Sequence, residues 1–483
     1  MSRMQNLKSQ ILQWAIVLSI LPFASGVAET PQPAAKPQPN ILLIILDDEN
    51  GFAGRTDLAP QPVTPNLDRL GKRGVTFANA QCAAPVCNPS RTAIFCGLRP
   101  STTGIYEDAQ GATPAGHILT RTTSLPNYFR ERGYLTAGSG KLFGASFGSL
   151  LKHRVWDEEM DPHGKGRIPD PTPPEEKLPL SGLGGKHDWG AFPDSREKMG
   201  DWQLAGWAAE FLRKPQAKPF FLACGIVKPH TPWYVPKEYF DLFPPDKITI
   251  PDLAADESAG LPAVVRIKLK QIKQEAPLIA RRKELVAAYL AASRYADDCV
   301  GRILEGLEKG PYRDNTIVVI FGDNGYQFGE KHTWSKGRLW EGSAHIPLVM
   351  AGPGIARGQI SPRPVSLVDL YPTLLELAGL PARPDVDGVS IVPLLRNPAA
   401  PWDRPALTTS GFKNHALRSE RWRYIRYADG SEELYDHDAD PLERVNLASK
   451  PEFASIRTEL QKWLPKKDEP LNPNSSGGKN SDD

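Results

Sequence analysis

Three short, unbroken apolar runs punctuate the chain. They are Asn40-Ile-Leu-Leu-Ile-Ile-Leu46, Phe220-Phe-Leu-Ala-Cys-Gly-Ile226 and Thr316-Ile-Val-Val-Ile-Phe321. Each is too short for a buried helix and lacks polar alternation, so each predicts a strand covered on both faces. Stretches of helical period separate them. Residues 65–72 and 124–132 are short examples, and residues 283–307 form the longest. Buried strands alternating with helices predict an α/β fold: a large domain with a central, mostly parallel sheet flanked by helices.

The pattern changes near residue 400. Short strand-like runs follow at 406–410, 415–418, 422–427 and 432–435, with turn residues such as Ala428-Asp429-Gly430 between them. This predicts a smaller C-terminal α+β subdomain over residues 401–470, with an antiparallel sheet and then a helix near 452–464. The larger domain is then 40–400. The polar tail, 471–483, is predicted to be disordered.

The N-terminus reads as a targeting segment. Arg3 and Lys8 precede an apolar run over 11–20, and small residues close it at Gly26-Val-Ala28. That order predicts a signal peptide over 1–28, too short in its apolar part to span a bilayer comfortably. A Pro-rich linker follows over 29–39. The reading implies an exported protein, periplasmic or extracellular (lysosomal in a eukaryote), with no membrane attachment after cleavage. The formal charge of the 483-residue chain is +2, and residues 1–28 carry two bases and no acid, so the mature chain is neutral. No global field argues for nucleic acid, and any anion must be read by a local cluster. Export permits disulfides. Five cysteines leave at least one unpaired. If that one is Cys87, then Cys82, Cys96, Cys224 and Cys299 allow three pairings, or all four are reduced and buried.

Parallel sheets place ligands beyond the carboxyl ends of their strands. The first run ends in Asp47-Asp48, the second leads to Lys228-Pro-His230, and the third leads to Asp323-Asn324-Gly325. Adjacent buried carboxylates require a cation or a shared proton. Asp47, Asp48, Asp323 and Asn324 offer hard oxygens, which suit Ca²⁺ or, less well, Mg²⁺ better than Zn²⁺. The plainer alternative for Asp47-Asp48 is a helix cap or a solvated turn. In Cys87-Asn-Pro-Ser-Arg91, Pro89 fits only a first helical turn. Cys87 then lies near a helix N-terminus, where negative charge is favoured, with Arg91 one turn on. The plainer alternatives are a buried apolar cysteine and a surface ion pair.

Cys-x-Pro-Ser-Arg followed by Gly97-Leu-Arg-Pro100 resembles the signature of type I sulfatases, which belong to the alkaline phosphatase superfamily. Residues 86–106 are most similar to the iduronate-2-sulfatase-like branch. Further matches run in order: residues 40–48, Thr64-Pro-Asn-Leu-Asp68, Gly140-Lys141, Lys228-Pro-His230, Gly322-Asp-Asn-Gly325, Gly329-Glu330, Lys336, Ile346-Pro347 and Leu434-Tyr-Asp436. The resemblance implies an alkaline-phosphatase-like fold and hydrolysis of sulfate esters on a carbohydrate. It also implies oxidation of Cys87 to formylglycine by a formylglycine-generating enzyme. The hydrated aldehyde then attacks sulfur with one hydroxyl and expels sulfate with the other. By position, Asp47, Asp48, Asp323 and Asn324 bind the cation with the Cys87-derived group. Arg91 stabilises the deprotonated diol, Lys141 and Lys336 neutralise sulfate oxygens, and His230 protonates the leaving oxygen. One departure stands out. The family carries a His shortly after the Lys of Gly-Lys, whereas here the run is Lys141-Leu-Phe-Gly144. His153 or His187 is a candidate to fold back and replace it. Rival readings are a phosphodiesterase or phosphonate monoester hydrolase with the same modified Cys, and a catalytically impaired sulfate-ester-binding homologue. The loops over 106–120 and 161–194, with Arg167, Lys186 and His187, are expected to line the entrance.

Overall fold

The computed structural model describes residues 38–51, 63–108, 110, 122–143, 155–160, 168–183, 187–253, 260–271 and 276–471. The expected signal peptide, nearly all of the linker, and the tail from 472 lie outside the described residues, as do Gly144, His153, Arg167 and Lys186.

The three apolar runs are strands. In chain order the strands of the large sheet are Asn40–Leu46 (β1), Gly74–Phe77 (β2), Leu135–Gly140 (β3), Glu158–Glu159 (β4), Phe220–Ile226 (β5), Thr316–Gly322 (β6), Leu348–Ala351 (β7) and Gln359–Ser361 (β8). Their spatial order is β8-β2-β7-β6-β1-β5-β3-β4. β1 lies at the centre and runs parallel to β5 and β6, whereas β7 runs antiparallel to both of its neighbours. The sheet is therefore mostly parallel, as its continuous apolar strands predict.

Both faces are covered. Leu42, Ile44 and Leu46 join one core with Leu222, Ile320 and helices Pro65–Gly71 (α1), Gly200–Arg213 (α3) and Arg282–Lys309 (α4). Ile41, Leu43 and Ile45 join the other with Phe221, Val319 and helices Cys87–Cys96 (α2) and Leu370–Leu377 (α5). Alternate side chains of one strand thus enter two cores, the period-2 geometry of a pleated strand. Cys82, Cys87, Cys96, Cys224 and Cys299 are all buried free thiols.

Strands Ala406–Thr409 (β9), His415–Arg418 (β10), Trp422–Arg426 (β11) and Glu432–Asp436 (β12) form an antiparallel sheet in sequence order. One face packs on Leu339 and Trp340, and the other on helix Ala454–Gln461 (α6), whose Leu460 is buried. A buried ion network fastens this sheet to the loop before it. Arg423 is 0% exposed, pairs with Glu341, and lies 2.6 Å from Glu443 Oε1. It also donates to the Leu339 carbonyl and to Gln81 Oε1, both at 3.0 Å. Removing one partner of a buried pair leaves uncompensated charge. Replacing Arg423 with Leu is expected to lower unfolding stability by about 3–5 kcal/mol, read as a shifted denaturant midpoint.

Candidate active site

The end of β1 sets the site. A strand points successive side chains to opposite faces, which would separate Asp47 from Asp48. Asp48 instead adopts a left-handed backbone, with φ of 65°. For a residue with a Cβ this costs on the order of 1–3 kcal/mol and persists only where the surroundings fix it. Here Asp323 Oδ1 accepts the Asp48 backbone N–H at 3.0 Å, and Tyr289 OH donates to the Asp48 carbonyl at 2.9 Å. The turn lets both carboxylates face one point: Asp47 Oδ1 is 3.3 Å and Asp48 Oδ1 is 3.8 Å from Cys87 Sγ.

Cys87 opens α2, with extended Val86 before it and Pro89 in the first turn. At this first turn the Asn88 N–H donates to Asp108 Oδ1 at 2.8 Å. Ser90 Oγ donates to the Asp323 carbonyl at 2.6 Å, tying α2 to the end of β6. Arg91 projects from the same helix and is 0% exposed. Its Nη2 lies 3.0 Å from Asp47 Oδ1 and its Nε 2.7 Å from Asp323 Oδ2, and its Nη1 donates to the Lys141 carbonyl.

Lys141 follows β3 through Gly140, whose φ is 88°. A Cβ at Gly140 would meet the Gly225 carbonyl, so only glycine lets the chain turn here. Lys141 Nζ reaches Asp47 Oδ2 at 2.6 Å and lies 3.9 Å from Cys87 Sγ. Lys336 follows Ser335, another left-handed residue. Its Nζ is 2.7 Å from Asp48 Oδ1 and 2.8 Å from Cys87 Sγ. His230 Nε2 is 3.8 Å from Asp48 Oδ2, while its Nδ1 faces the Thr231 carbonyl at 2.6 Å. Asn324 Nδ2 donates to Asp48 Oδ1 at 2.8 Å. The other eight residues that the sequence assigns to catalysis or metal binding therefore cluster with Cys87.

The field is dense and nearly balanced. Burial opposes ionisation of Asp47, yet Lys141 and Arg91 hold it well below the usual carboxylate range. Burial also opposes Asp48, which Lys336 and His230 hold down. Asp323 goes the other way: burial raises it to about 6 against the pull of Arg91. Burial, reinforced by Asp47, drives the Cys87 thiol well above its ordinary value. As an encoded thiol it is a poor nucleophile, because the thiolate is the reactive form.

The donor set fits a hard divalent cation. Asp47, Asp48 and Asp323 offer carboxylate oxygens within 4.8 Å of one another and of Cys87 Sγ. Asn324 Oδ1 is a buried oxygen with no hydrogen-bond donor. Orphaned, deeply buried oxygens beside clustered carboxylates match the demands of Ca²⁺ or Mg²⁺.

Some contributors escaped the sequence reading. Tyr289, on α4, braces Asp48 from about 240 residues away in sequence, at a separation of 241. Asp108 holds Asn88 and faces Lys336. Neither residue stands in a motif that marks it. His187 sits against Tyr326, with Nδ1 2.8 Å from its hydroxyl, and near Trp233.

The sulfatase family profile matches residues 39–380, and the C-terminal profile of N-sulphoglucosamine sulphohydrolase matches 329–469. A sulfatase of Formosa agariphila is 39% identical, covering 89% of this chain and 87% of its own. This chain belongs to the sulfatase family. A choline-sulfatase of Rhizobium meliloti is 31% identical (86% and 83% covered), and an ulvan-active sulfatase of Formosa agariphila 28% (89% and 81%). The phosphonate monoester hydrolase of Agrobacterium radiobacter shares the fold with a TM-score of 0.71 at 23% identity, covering 88% and 94%. A structure in complex with its substrate D-glucosamine-2-N,6-O-disulfate does so with a TM-score of 0.64 at 23% identity, covering 88% and 97%. The fold is thus alkaline-phosphatase-like, and the sulfatase is a sulfuric ester hydrolase. The family assignment is broader than the iduronate-2-sulfatase-like branch.

In this sulfatase, burial and then Lys141 lower His230 to about 4, despite Asp48. An unfolded His titrates near 6.5. Between those values the unfolded chain binds a proton that the folded chain does not, so stability falls as pH drops through that window. From pH 7 to pH 5 this one group is expected to remove about 2 kcal/mol. A His230→Gln variant should lose correspondingly less in denaturation curves over the same interval.

Proposed function

We propose that this sulfatase removes sulfate from a sulfated glycan with a formylglycine made from Cys87, and that Asp47, Asp48, Asp323 and Asn324 hold Ca²⁺ beside it. The observation that carries the reading is the position of Cys87 Sγ: 2.8 Å from Lys336 Nζ and 3.3 Å from Asp47 Oδ1, in a setting that suppresses its own thiolate. A thiol placed there does little chemistry, whereas a hydrated aldehyde supplies a hydroxyl nucleophile. The encoded Cys87 is buried in the folded chain, so conversion by a formylglycine-generating enzyme fits a chain not yet closed over α2. The N-terminal segment over 1–28 fits export of such a chain.

The cation, when bound, polarises sulfate oxygens and favours a deprotonated nucleophile. The chain supplies the rest. Lys141 and Lys336 flank the sulfur and are held charged by Asp47 and Asp48, against their burial. They are placed to bind two sulfate oxygens and to stabilise charge developing on them. Arg91 has its guanidinium committed to Asp47 and Asp323, so it fixes the carboxylates and adds positive potential to the nucleophile.

His230 needs a closer account. Its Nδ1 lies against the Thr231 carbonyl, an acceptor, so the proton of neutral His230 sits on Nδ1. Nε2 then accepts, and it donates to a leaving oxygen only as imidazolium. Burial depresses His230 most, and Lys141 and Lys336 add to it; a sulfate ester seated between the lysines offsets their share and so favours the imidazolium. The substrate itself thereby arms the acid.

A sugar substrate is supported by the relatives whose names or ligands refer to ulvan and to D-glucosamine-2-N,6-O-disulfate.

Mass spectrometry of the peptide carrying Cys87, from protein made in its natural host, should find the aldehyde, and an unmodified thiol would refute the mechanism. His230→Ala should slow release from sugar sulfates by about 10²–10⁴-fold, the usual worth of a general acid. Its effect on 4-nitrophenyl sulfate should be far smaller, because that leaving group needs no proton. Equal losses on both substrates would remove the acid role.

A further inference from the structure

The hairpin turn between β9 and β10 stands at the rim of this site. Its root is tied to the catalytic loop: Ser410 Oγ donates to the Gly337 carbonyl at 3.0 Å, and the Gly337 N–H donates to the Pro85 carbonyl at 2.8 Å. Gly337 adjoins Lys336, and Pro85 lies two residues before Cys87. The turn is stiff. Asn414 Nδ2 donates to the Ser410 carbonyl at 3.0 Å, and Asn414 Oδ1 accepts the Ala428 N–H at 3.0 Å.

The rigid turn presents unusual side chains. Phe412 is 38% exposed, and its ring meets Tyr106 edge-on at 6.1 Å. Exposed Lys413, held at φ of 59°, places its ammonium 5.1 Å from the Phe412 ring centre. Beside the hairpin runs a groove lined by Lys268, Gly337, Arg338, Ser410, Asn414 and Tyr427. Nothing in the folding of this sheet calls for an exposed phenylalanine under a strained lysine. Lys268 and Arg338 line this groove beside Gly337, the residue after Lys336, and the hairpin that carries Phe412 and Lys413 forms its edge through Ser410 and Asn414.

We propose that the Phe412-Lys413 tip and this groove bind the sugar unit next to the sulfated one, on an anionic glycan. This rests on the sulfatase reading above. Phe412 offers an apolar face to the C–H face of a pyranose ring. Lys413, with Lys268 and Arg338 along the groove, meets a carboxylate or second sulfate on that unit by charge-assisted hydrogen bonds. The C-terminal sheet thereby selects a polymer, while the strand ends of the large sheet act on the ester.

The test compares substrates with and without a neighbouring unit. Oligosaccharides from ulvan and from heparan sulfate, and 4-nitrophenyl sulfate, are assayed with the parent enzyme and with Phe412→Ala and Lys413→Ala. On whichever oligosaccharide the parent desulfates, each variant should raise KM about tenfold, with kcat held within twofold. For Lys413→Ala the salt dependence of KM should also flatten. On 4-nitrophenyl sulfate neither variant should change kcat/KM by more than about twofold. Turnover of the aryl ester with no oligosaccharide desulfated, an unmoved oligosaccharide KM, or equal losses on both substrates overturns the subsite and leaves the sulfatase reading standing. A parent enzyme that releases sulfate from none of them overturns both.

Discussion

A single guanidinium organises this enzyme. Arg91 is fully buried and lies against Asp47 and Asp323, which come from the ends of β1 and β6. Stripping one such charge of water costs several kcal/mol, and the cost is offset only when geometry and hydrogen bonding are complete. They are complete here because α2 is pinned at both ends of the problem: Ser90 binds the Asp323 carbonyl, and Arg91 binds the Lys141 carbonyl. The helix, two strand ends and the Gly140 turn are thus mutually required. Loss of Arg91 would leave two buried carboxylates facing each other across the site.

The same balance explains why the encoded cysteine is quiet. Three carboxylates and three fixed cations surround it, so the site tolerates little additional negative charge unless a divalent cation joins. That condition favours an oxygen nucleophile beside a metal over a thiolate alone. It also gives His230 a conditional role. Lys141 helps depress it while the pocket lacks a substrate anion, and an anionic ester relieves that pressure. In the proposed mechanism His230 therefore gains its proton only once an ester is bound.

Much of this was legible in the chain. β1 and β5 have the limits that their apolar runs predict, and the C-terminal strands fall within a residue or so of the expected positions. Those elements are legible because burial on both faces, or strict alternation, leaves one pattern. β3 was not: Leu135-Thr-Ala-Gly-Ser-Gly140 is short, small and glycine-rich, and it is a strand because β5 supplies its partner. Among site residues, the acids, Cys87, Arg91 and the lysines announce themselves by motif. Tyr289 and Asp108 do not, because their role is set by long-range packing that no local spacing encodes. The cysteines show the same limit. Sequence left pairing open, and the fold buries all five as thiols, of which Cys82, Cys96, Cys224 and Cys299 serve in the two cores as small apolar side chains.

The division of labour follows from where rigidity is available. Strand ends at the centre of an eight-stranded sheet are positioned by cores on both faces, so they suit chemistry that needs sub-ångström placement. The loop bearing Lys336 lies outside the large sheet and contains left-handed Lys331, His332 and Ser335. Phe328 and Trp334 anchor it in one core. Further support comes from Arg423, which binds the Leu339 carbonyl and Glu341. The C-terminal sheet therefore does more than cover an edge. By clamping the segment after Lys336 on one side and holding the 410–414 turn on the other, it couples the lysine proposed to bind sulfate to the surface proposed to bind the neighbouring sugar. On that reading a change in the sheet is felt in the chemistry as well as in stability, which a purely peripheral appendage would not produce.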